Sequence, residues 1–208
     1  MIWSPTFILM RSKMKNKIFV LGNGESRLAI DIKYLREHGR IYGCNALYRE
    51  FTPDVLVSVD DRMSTEILES GYEGTHYYRV LRKDRTKDNV YDVIDRFGHK
   101  ITKSRGYSSG ALATLIAANE AQVREVYLIG FDMYKTEQVN NVYKDSPNYI
   151  RSTDRPIDTA NFKIQMSQVV RECKTRKFIW VNDYHRMIIN EPNFELMYVS
   201  EFKELFQA

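Results

Sequence analysis

The chain of 208 residues has few of the residues that mark several protein classes. Two cysteines are too few for a disulfide-stabilised peptide and are typical of a reducing compartment, where thiols pack in the core. Ten glycines and five prolines exclude a collagen-like chain, and 43% hydrophobic residues exclude intrinsic disorder. The apolar stretch 2–10 is far shorter than the ~20 residues that span a bilayer. We therefore expect a cytoplasmic protein with no membrane span.

The charge balance gives only weak indications of a partner. The net charge of +4 allows an anionic ligand without requiring nucleic acid. The segment 79–105 carries nine Lys or Arg residues against four Asp, which is typical either of a polyanion-binding surface or of a solvated helix and loop. The four histidines are scattered without metal-ligand spacing, so we predict no zinc site.

Short apolar runs alternate with helical patterns along the chain, which indicates parallel βαβ units. The pattern predicts an α/β fold: a single Rossmann-like domain over 17–208, with a mostly parallel sheet, helices on both faces, and an N-terminal extension over 1–16. The predicted strands are Lys17–Leu21, Arg40–Gly43, Pro53–Asp60, Thr75–Leu81, Val123–Gly130 and Lys177–Val181. The predicted helices follow Ser26 as far as Gly39 and cover Met63–Ser70, Ser109–Ala121 and Asp158–Cys173.

Small polar residues follow four of these strands, at the edge where open parallel sheets bind ligands. They are Gly22-Asn23-Gly24, Cys44-Asn45, Asp60-Asp61 and Asn182-Asp183. The first of these turns suits a phosphate, or else is a tight turn with Ser26 as a helix N-cap. It lacks the dinucleotide fingerprint, because Arg27 stands where the third glycine would be.

Two further segments permit a functional and a structural interpretation. Ser108, Ser109 and Gly110 open a helix and suit an anion, with Arg105 adding charge, but helix capping explains them equally well. Asp60 and Asp61 suit Mg²⁺ bound to a diphosphate, or else serve as one N-cap and one surface charge.

The ordered set of motifs resembles the bacterial lipooligosaccharide sialyltransferases, which are Rossmann-like enzymes of a GT-A type that use CMP-sialic acid without a metal. It also resembles a broader superfamily that includes pterin diphosphokinases. The motifs are Gly22-Asn23-Gly24-x-Ser26, Cys44-Asn45, Ser108-Ser109-Gly110 and Gly130-Phe131-Asp132-Met133-Tyr134, within about residues 17–190.

This resemblance implies roles for individual residues and a lid over about 131–157. It implies that Gly22, Asn23, Gly24, Ser26 and Asn45 bind the nucleotide, and that Ser108, Ser109 and Gly110 meet the donor sugar. It also implies that Asp60 faces the donor and that Tyr134 and Tyr143 bind the departing phosphate. The family's catalytic His has no counterpart before the helix at Asp158, which leaves Asp60, Asp154 and His185 as candidate bases.

Three functions follow as hypotheses. The first is a cofactor-free glycosyltransferase that moves a sugar from a CMP- or CDP-linked donor onto a glycan or, more speculatively, a modified DNA base. The second is a Mg²⁺-dependent diphosphokinase that uses Asp60 and Asp61. The third is a nucleotide-binding protein that has lost catalysis. The sequence is compatible with a homo-oligomer and identifies neither the sugar nor the acceptor.

Overall fold

A computed structural model describes residues 16–80 and 91–207, which form an α/β fold around a nine-stranded, mostly parallel sheet. The strand order is β6-β5-β4-β3-β2-β1-β7-β8-β9, and only the β4–β5 and β5–β6 pairs are antiparallel. The strands are β1 (Lys17–Leu21), β2 (Arg40–Cys44), β3 (Val55–Ser58), β4 (His76–Val80), β5 (Tyr91–Asp95), β6 (Lys100–Ser104), β7 (Glu125–Ile129), β8 (Lys177–Val181) and β9 (Phe194–Met197).

Helices cover both faces of the sheet, as the sequence predicted. The described helices are α1 (Asp61–Glu69), α2 (Ser109–Ala118), α3 (Ala160–Glu172) and α4 (Val199–Phe206). Alternate residues of β1 belong to different cores: Ile18 and Val20 pack with α2 and α3, whereas Phe19 and Leu21 pack with α1 and α4. Helix α2 is buried almost all round, because it lies across β1, β2 and β3. None of the helices in the described ranges is long and apolar enough to cross a bilayer.

The segment between β1 and β2 differs from the helix predicted there. It forms two 3₁₀ helices, Glu25–Ala29 and Tyr34–Glu37, because the Asp31 carboxylate accepts a hydrogen bond from the Lys33 N–H and offers the backbone an alternative to helical pairing. A third 3₁₀ helix, Asn45–Arg49, follows β2.

The basic segment 79–105 is not a helix and loop where it is described. Its residues 91–104 form the antiparallel β5–β6 hairpin at one sheet edge, and the Lys100 ammonium lies 2.7 Å from the Asp92 carboxylate. Residues 81–90, which hold four of the nine basic residues, lie outside the described ranges, as does most of the predicted 1–16 extension. The described structure therefore places only part of the positive charge of this segment.

Candidate functional site

A cleft of about 460 Å³ lies beyond the carboxyl ends of β1, β2, β3 and β7. From β1 the chain builds outward through β2, β3 and β4, and it then returns to place β7 on the other side of β1. Strand order thus reverses between β1 and β7, which is where open parallel sheets bind ligands. Eight of the predicted site residues line this one cleft: Gly22, Asn23, Gly24, Asn45, Asp60, Ser108, Ser109 and Gly110.

The turn after β1 lies so close to β7 that its glycines have no room for a side chain. A Cβ at Gly22 would overlap the Gly130 carbonyl, and a Cβ at Gly24 would overlap the Asp132 carboxylate. Asp132 accepts hydrogen bonds from the backbone N–H and the hydroxyl of Ser26 and, at 2.9 Å, from the Asn182 amide. The Ser26 side chain therefore holds this turn against β7 instead of capping a helix.

Hydrogen bonds hold part of the long polar segment over the β1 turn. The Val142 N–H donates to the Asn23 carbonyl at 2.8 Å, and the Asn140 side chain accepts from the Glu25 N–H at 2.7 Å. The Tyr149 hydroxyl accepts from the Asn23 side-chain amide at 3.0 Å and from the Ala46 N–H at 3.3 Å. These bonds use the lone pairs of the Tyr149 oxygen and leave its own proton free to donate.

The end of β2 contributes an unusual backbone conformation and an unpaired polar atom. Asn45 has a positive φ of 54°, which non-glycine residues rarely adopt. Its side-chain oxygen is buried and has no hydrogen-bond partner among the described residues. Burial raises the pKa of the neighbouring Cys44 to about 12, so this thiol is neutral near pH 7 and is not a nucleophile.

Two helices start at the rim of the cleft. Helix α1 is capped, because one Asp60 carboxylate oxygen accepts from the N–H groups of Arg62 and Met63 at 3.0 and 3.2 Å. Helix α2 is uncapped: the Ser108 side chain makes no capping bond, and the Ser109 hydroxyl accepts instead from the Val59 N–H. The first N–H groups of α2, which have no acceptor among the described residues, are left for a ligand.

The electrostatics of the cleft are unusual for a phosphate site. Of the described residues that line it, Asp60 and Asp132 carry negative charge and none is Lys, Arg or His. The other polar side chains of the lining are neutral, and apolar side chains form the rest of the wall. The neutral donors and acceptors are Asn23, Asn45, Asn140, Asn141, Asn148, Tyr149, Ser108, Ser109, Thr136 and Thr159. This lining suits sugar and base groups, with anion binding left to backbone N–H groups and the α2 dipole.

Six predicted site residues do not line the cleft, and one of them, Ser26, is the residue whose N–H and hydroxyl bond to Asp132. The Tyr143 hydroxyl bonds to Arg27 and Glu50 behind the β1 turn, and Tyr134 stacks on Tyr184 with ring centroids 4.1 Å apart. Arg105 is exposed and lies 3.9 Å from the Glu172 carboxylate. Asp154 accepts from the Arg151 N–H in an exposed turn, and His185 is exposed beside Tyr184. Asp60 is thus the one candidate base that lines the cleft.

Tyr149 and Asn140 are site residues that the sequence did not single out. Burial raises the pKa of the Tyr149 hydroxyl, so this phenol stays protonated at neutral pH. Both residues lie in the aperiodic segment 131–157, where no spacing indicates which side chains turn inward. The polar composition of that segment marked it as functional but did not distinguish Tyr149 from Tyr143.

Comparison of the chain with models of protein families, with curated proteins and with solved structures gave no match.

Proposed function

We propose that the chain is a glycosyltransferase with a Rossmann-like nucleotide-binding domain, and that a nucleotide-sugar occupies the cleft beside the β1 turn. The observation that carries this proposal is the convergence of the turns after β1, β2 and β3 with the open start of α2 around one cavity. In this proposal the N–H groups at the start of α2 bind the phosphate. The asparagine-rich wall binds the base and sugar hydroxyls.

The charge of the cleft favours a donor with a single phosphate, such as a CMP-sugar. A helix N-terminus contributes the equivalent of about half a positive charge. That is a poor match for a diphosphate, because Asp60 and Asp132 already make the described lining negative. A monophosphate-linked sugar adds the least further negative charge.

The transfer step follows from the groups that line the cleft. The acceptor hydroxyl attacks the anomeric carbon of the sugar, its proton passes to the Asp60 carboxylate, and the bond from this carbon to the phosphate oxygen breaks. The oxygen leaves with the electron pair, and the Tyr149 phenol donates a hydrogen bond to it. Asp60 has one carboxylate oxygen in the α1 cap, and its other oxygen has no partner in the described structure.

The segment 131–157 acts as the lid of this enzyme, and it has two parts. Its 139–150 part is bonded to the β1 turn and to the 3₁₀ helix after β2, where the Ser146 hydroxyl accepts from Arg49 at 2.8 Å. The following residues carry Ile157, which lines the cleft and is 53% exposed. We assign substrate entry to this second part.

Thermal unfolding with CMP, CDP, UDP, GDP and ATP, each with Mg²⁺ and with EDTA, tests the proposal. A ligand that binds only the folded state at 100 times its Kd stabilises it by about 2.7 kcal/mol, so weak binding is measurable. We expect CMP to raise the unfolding temperature equally with Mg²⁺ and with EDTA. A shift with ATP only in Mg²⁺ would replace the proposal with the diphosphokinase, and no shift at millimolar ligand would reject the nucleotide site.

One observation favours a second function, namely nucleotide binding without catalysis. Four of the five predicted catalytic residues, Tyr134, Tyr143, Asp154 and His185, do not line the cleft. A non-catalytic protein would show the same CMP-dependent stabilisation but would not release CMP from CMP-sialic acid, even with an acceptor glycan. Release of CMP that depends on Asp60 would exclude this alternative.

A further inference from the structure

A buried arginine lies directly behind the cleft, whose described lining has no positive side chain. Arg27 is 3% exposed and occupies the position where a dinucleotide fingerprint has its third glycine. Its guanidinium donates to the Gly22 carbonyl at 3.2 Å. The protein thus places a cation against the turn that the proposed function assigns to the nucleotide, without exposing that cation in the cleft.

The bond from Arg27 acts on one particular peptide unit. The Gly22 carbonyl belongs to the same peptide as the Asn23 N–H, and a charged donor on the carbonyl makes this N–H a stronger hydrogen-bond donor. Within the turn, the Gly22 and Gly24 N–H groups are already bonded to the Ile129 and Gly130 carbonyls, each at 2.8 Å. The Asn23 N–H has no acceptor among the described residues, so it is the free donor of the turn.

The charge of Arg27 is only partly neutralised. Its guanidinium lies 2.5 Å from a Glu50 carboxylate oxygen whose side chain is 48% exposed, and 3.1 Å from the Tyr143 hydroxyl. The Tyr143 hydroxyl also donates to Glu50. Because water screens the exposed carboxylate more than it screens the buried guanidinium, a net positive potential remains on the side of the turn.

We propose that Arg27 is a positioning residue that sets the affinity of the cleft for a phosphate, by polarising the Gly22–Asn23 peptide, and that Glu50 weakens this effect. The proposal rests on the proposed function and adds to it, because it gives the phosphate a second donor, the Asn23 N–H, besides the N–H groups at the start of α2. It predicts that removing the negative charge of Glu50 strengthens phosphate binding. A purely structural role of the Arg27–Glu50 pair predicts the opposite.

The variant that separates these two roles is Glu50→Gln, which keeps an oxygen acceptor for Arg27 and Tyr143 but removes the charge. Arg27→Met is a poorer test, since it removes a buried group and leaves Glu50 unpaired. The chain supplies a matched control in Glu120→Gln. Glu120 also accepts from an arginine and a tyrosine, Arg40 and Tyr42, but on β2, whose Arg40 is at the opposite end from the cleft.

The experiment measures Kd for CMP and for inorganic phosphate by NMR titration of the Asn23 amide in the wild type, Glu50→Gln and Glu120→Gln. We expect Glu50→Gln to bind both ligands about threefold more tightly, from the loss of one screened charge near the turn, and Glu120→Gln to match the wild type. Equal or weaker binding by Glu50→Gln would overturn the role of Arg27 while leaving the proposed function intact.

A different set of results would distinguish failure of the proposed function from failure of the role of Arg27. If no nucleotide binds but phosphate shifts the Asn23 amide and binds more tightly to Glu50→Gln, the proposed function fails and the role of Arg27 holds. If phosphate also leaves the Asn23 amide unshifted in all three proteins, both are overturned.

Discussion

The two helices that begin at the rim of the cleft differ in how their first N–H groups are satisfied. In α1 the protein supplies the acceptor, since Asp60 bonds to the N–H groups of Arg62 and Met63. In α2 the side chain of Ser108 forms no such bond, although Ser is a good N-cap residue. A start that the protein closes itself serves stability, whereas an open start at a cleft suits a ligand. The difference can therefore be tested by separate substitutions at the start of each helix.

The largest effect is expected from Asp60→Asn. The amide keeps the α1 cap, because Asn is as good an N-cap as Asp, but it does not accept a proton from the acceptor hydroxyl. Loss of a general base lowers the rate of transfer by about 10²–10⁴-fold. The measurement is CMP release from CMP-sialic acid with an acceptor glycan, alongside thermal unfolding. A variant with normal turnover would exclude Asp60 as the base.

The second-largest effect is expected from protonation of His76, which belongs to a buried hydrogen-bond network beneath the capped helix α1. His76 Nε2 lies 2.7 Å from the Ser58 hydroxyl, which lies 2.7 Å from the Ser64 hydroxyl, and Ser64 donates to the Asp60 carbonyl at 2.9 Å. Since Ser64 gives its proton to that carbonyl, Ser58 donates to Ser64 and therefore accepts from His76 Nε2–H. His76 is held as the neutral Nε2–H tautomer, and its buried Nδ1 has no partner in the part of the chain that the structure describes.

Burial lowers the pKa of His76 to about 4 from an ordinary value of 6.5. Below pH 6.5 the unfolded chain binds a proton that the folded chain does not, so the free energy of unfolding decreases between pH 6.5 and pH 4. The loss from this group is about 3 kcal/mol at most. Urea unfolding at pH 7.5, 5.5 and 4.5, for the wild type and His76→Gln, measures it. Identical pH slopes for the two proteins would contradict this assignment.

The third-largest effect is expected at the uncapped start of α2. Ser108→Asp places a carboxylate where the phosphate is proposed to bind, so we expect CMP to bind at least tenfold more weakly, or about 1.4 kcal/mol. The free energy of unfolding should stay equal or rise by about 0.5 kcal/mol, because the new carboxylate caps α2. Tyr198→Asp, at the N-cap of α4 and outside the cleft lining, is the control and should bind CMP normally.

The smallest effect is expected from alanine substitutions at the N-cap positions of α1 and α2, which compare the two helix starts directly. Asp60→Ala should lower the free energy of unfolding by about 1 kcal/mol, since it removes a formed cap. Ser108→Ala should change it by only a few tenths of a kcal/mol, because the Ser108 side chain makes no capping bond. Urea unfolding of both variants at pH 7.5 measures the difference. Equal losses would show that the two helix starts are equivalent after all.

The fold was predictable where strands are buried on both faces. Lys17–Leu21 and Lys177–Val181 match β1 and β8 residue for residue, because continuous apolar runs mark central parallel strands. Strands β5, β6 and β9 were missed, since in each only one residue is buried: Val93, Ser104 and Phe194. Such half-exposed strands, which lie at the two ends of the sheet order, carry little periodic signal.

The site was predictable where residues directly follow a strand. The strand-end rule selects Asn23, Asn45 and Asp60 from the sequence, because parallel strands bring their carboxyl ends to one edge. It does not reach Tyr149, which is more than a hundred residues from Asn23 in the chain and is placed by hydrogen bonds to it and to Ala46. In the sequence, Arg27 shows only that the third glycine of the dinucleotide fingerprint is absent. Its bond to the Gly22 carbonyl is visible only in the structure.

The most direct test of the account is an NMR titration of the wild-type protein with CMP in EDTA, with the backbone amides assigned. We predict saturable shifts at Asn23, Ser109, Gly110 and Tyr149, and none in the β5–β6 hairpin. Binding without shifts at Asn23 and Gly110, or no binding at millimolar CMP, would contradict the claim that this cleft is a nucleotide site.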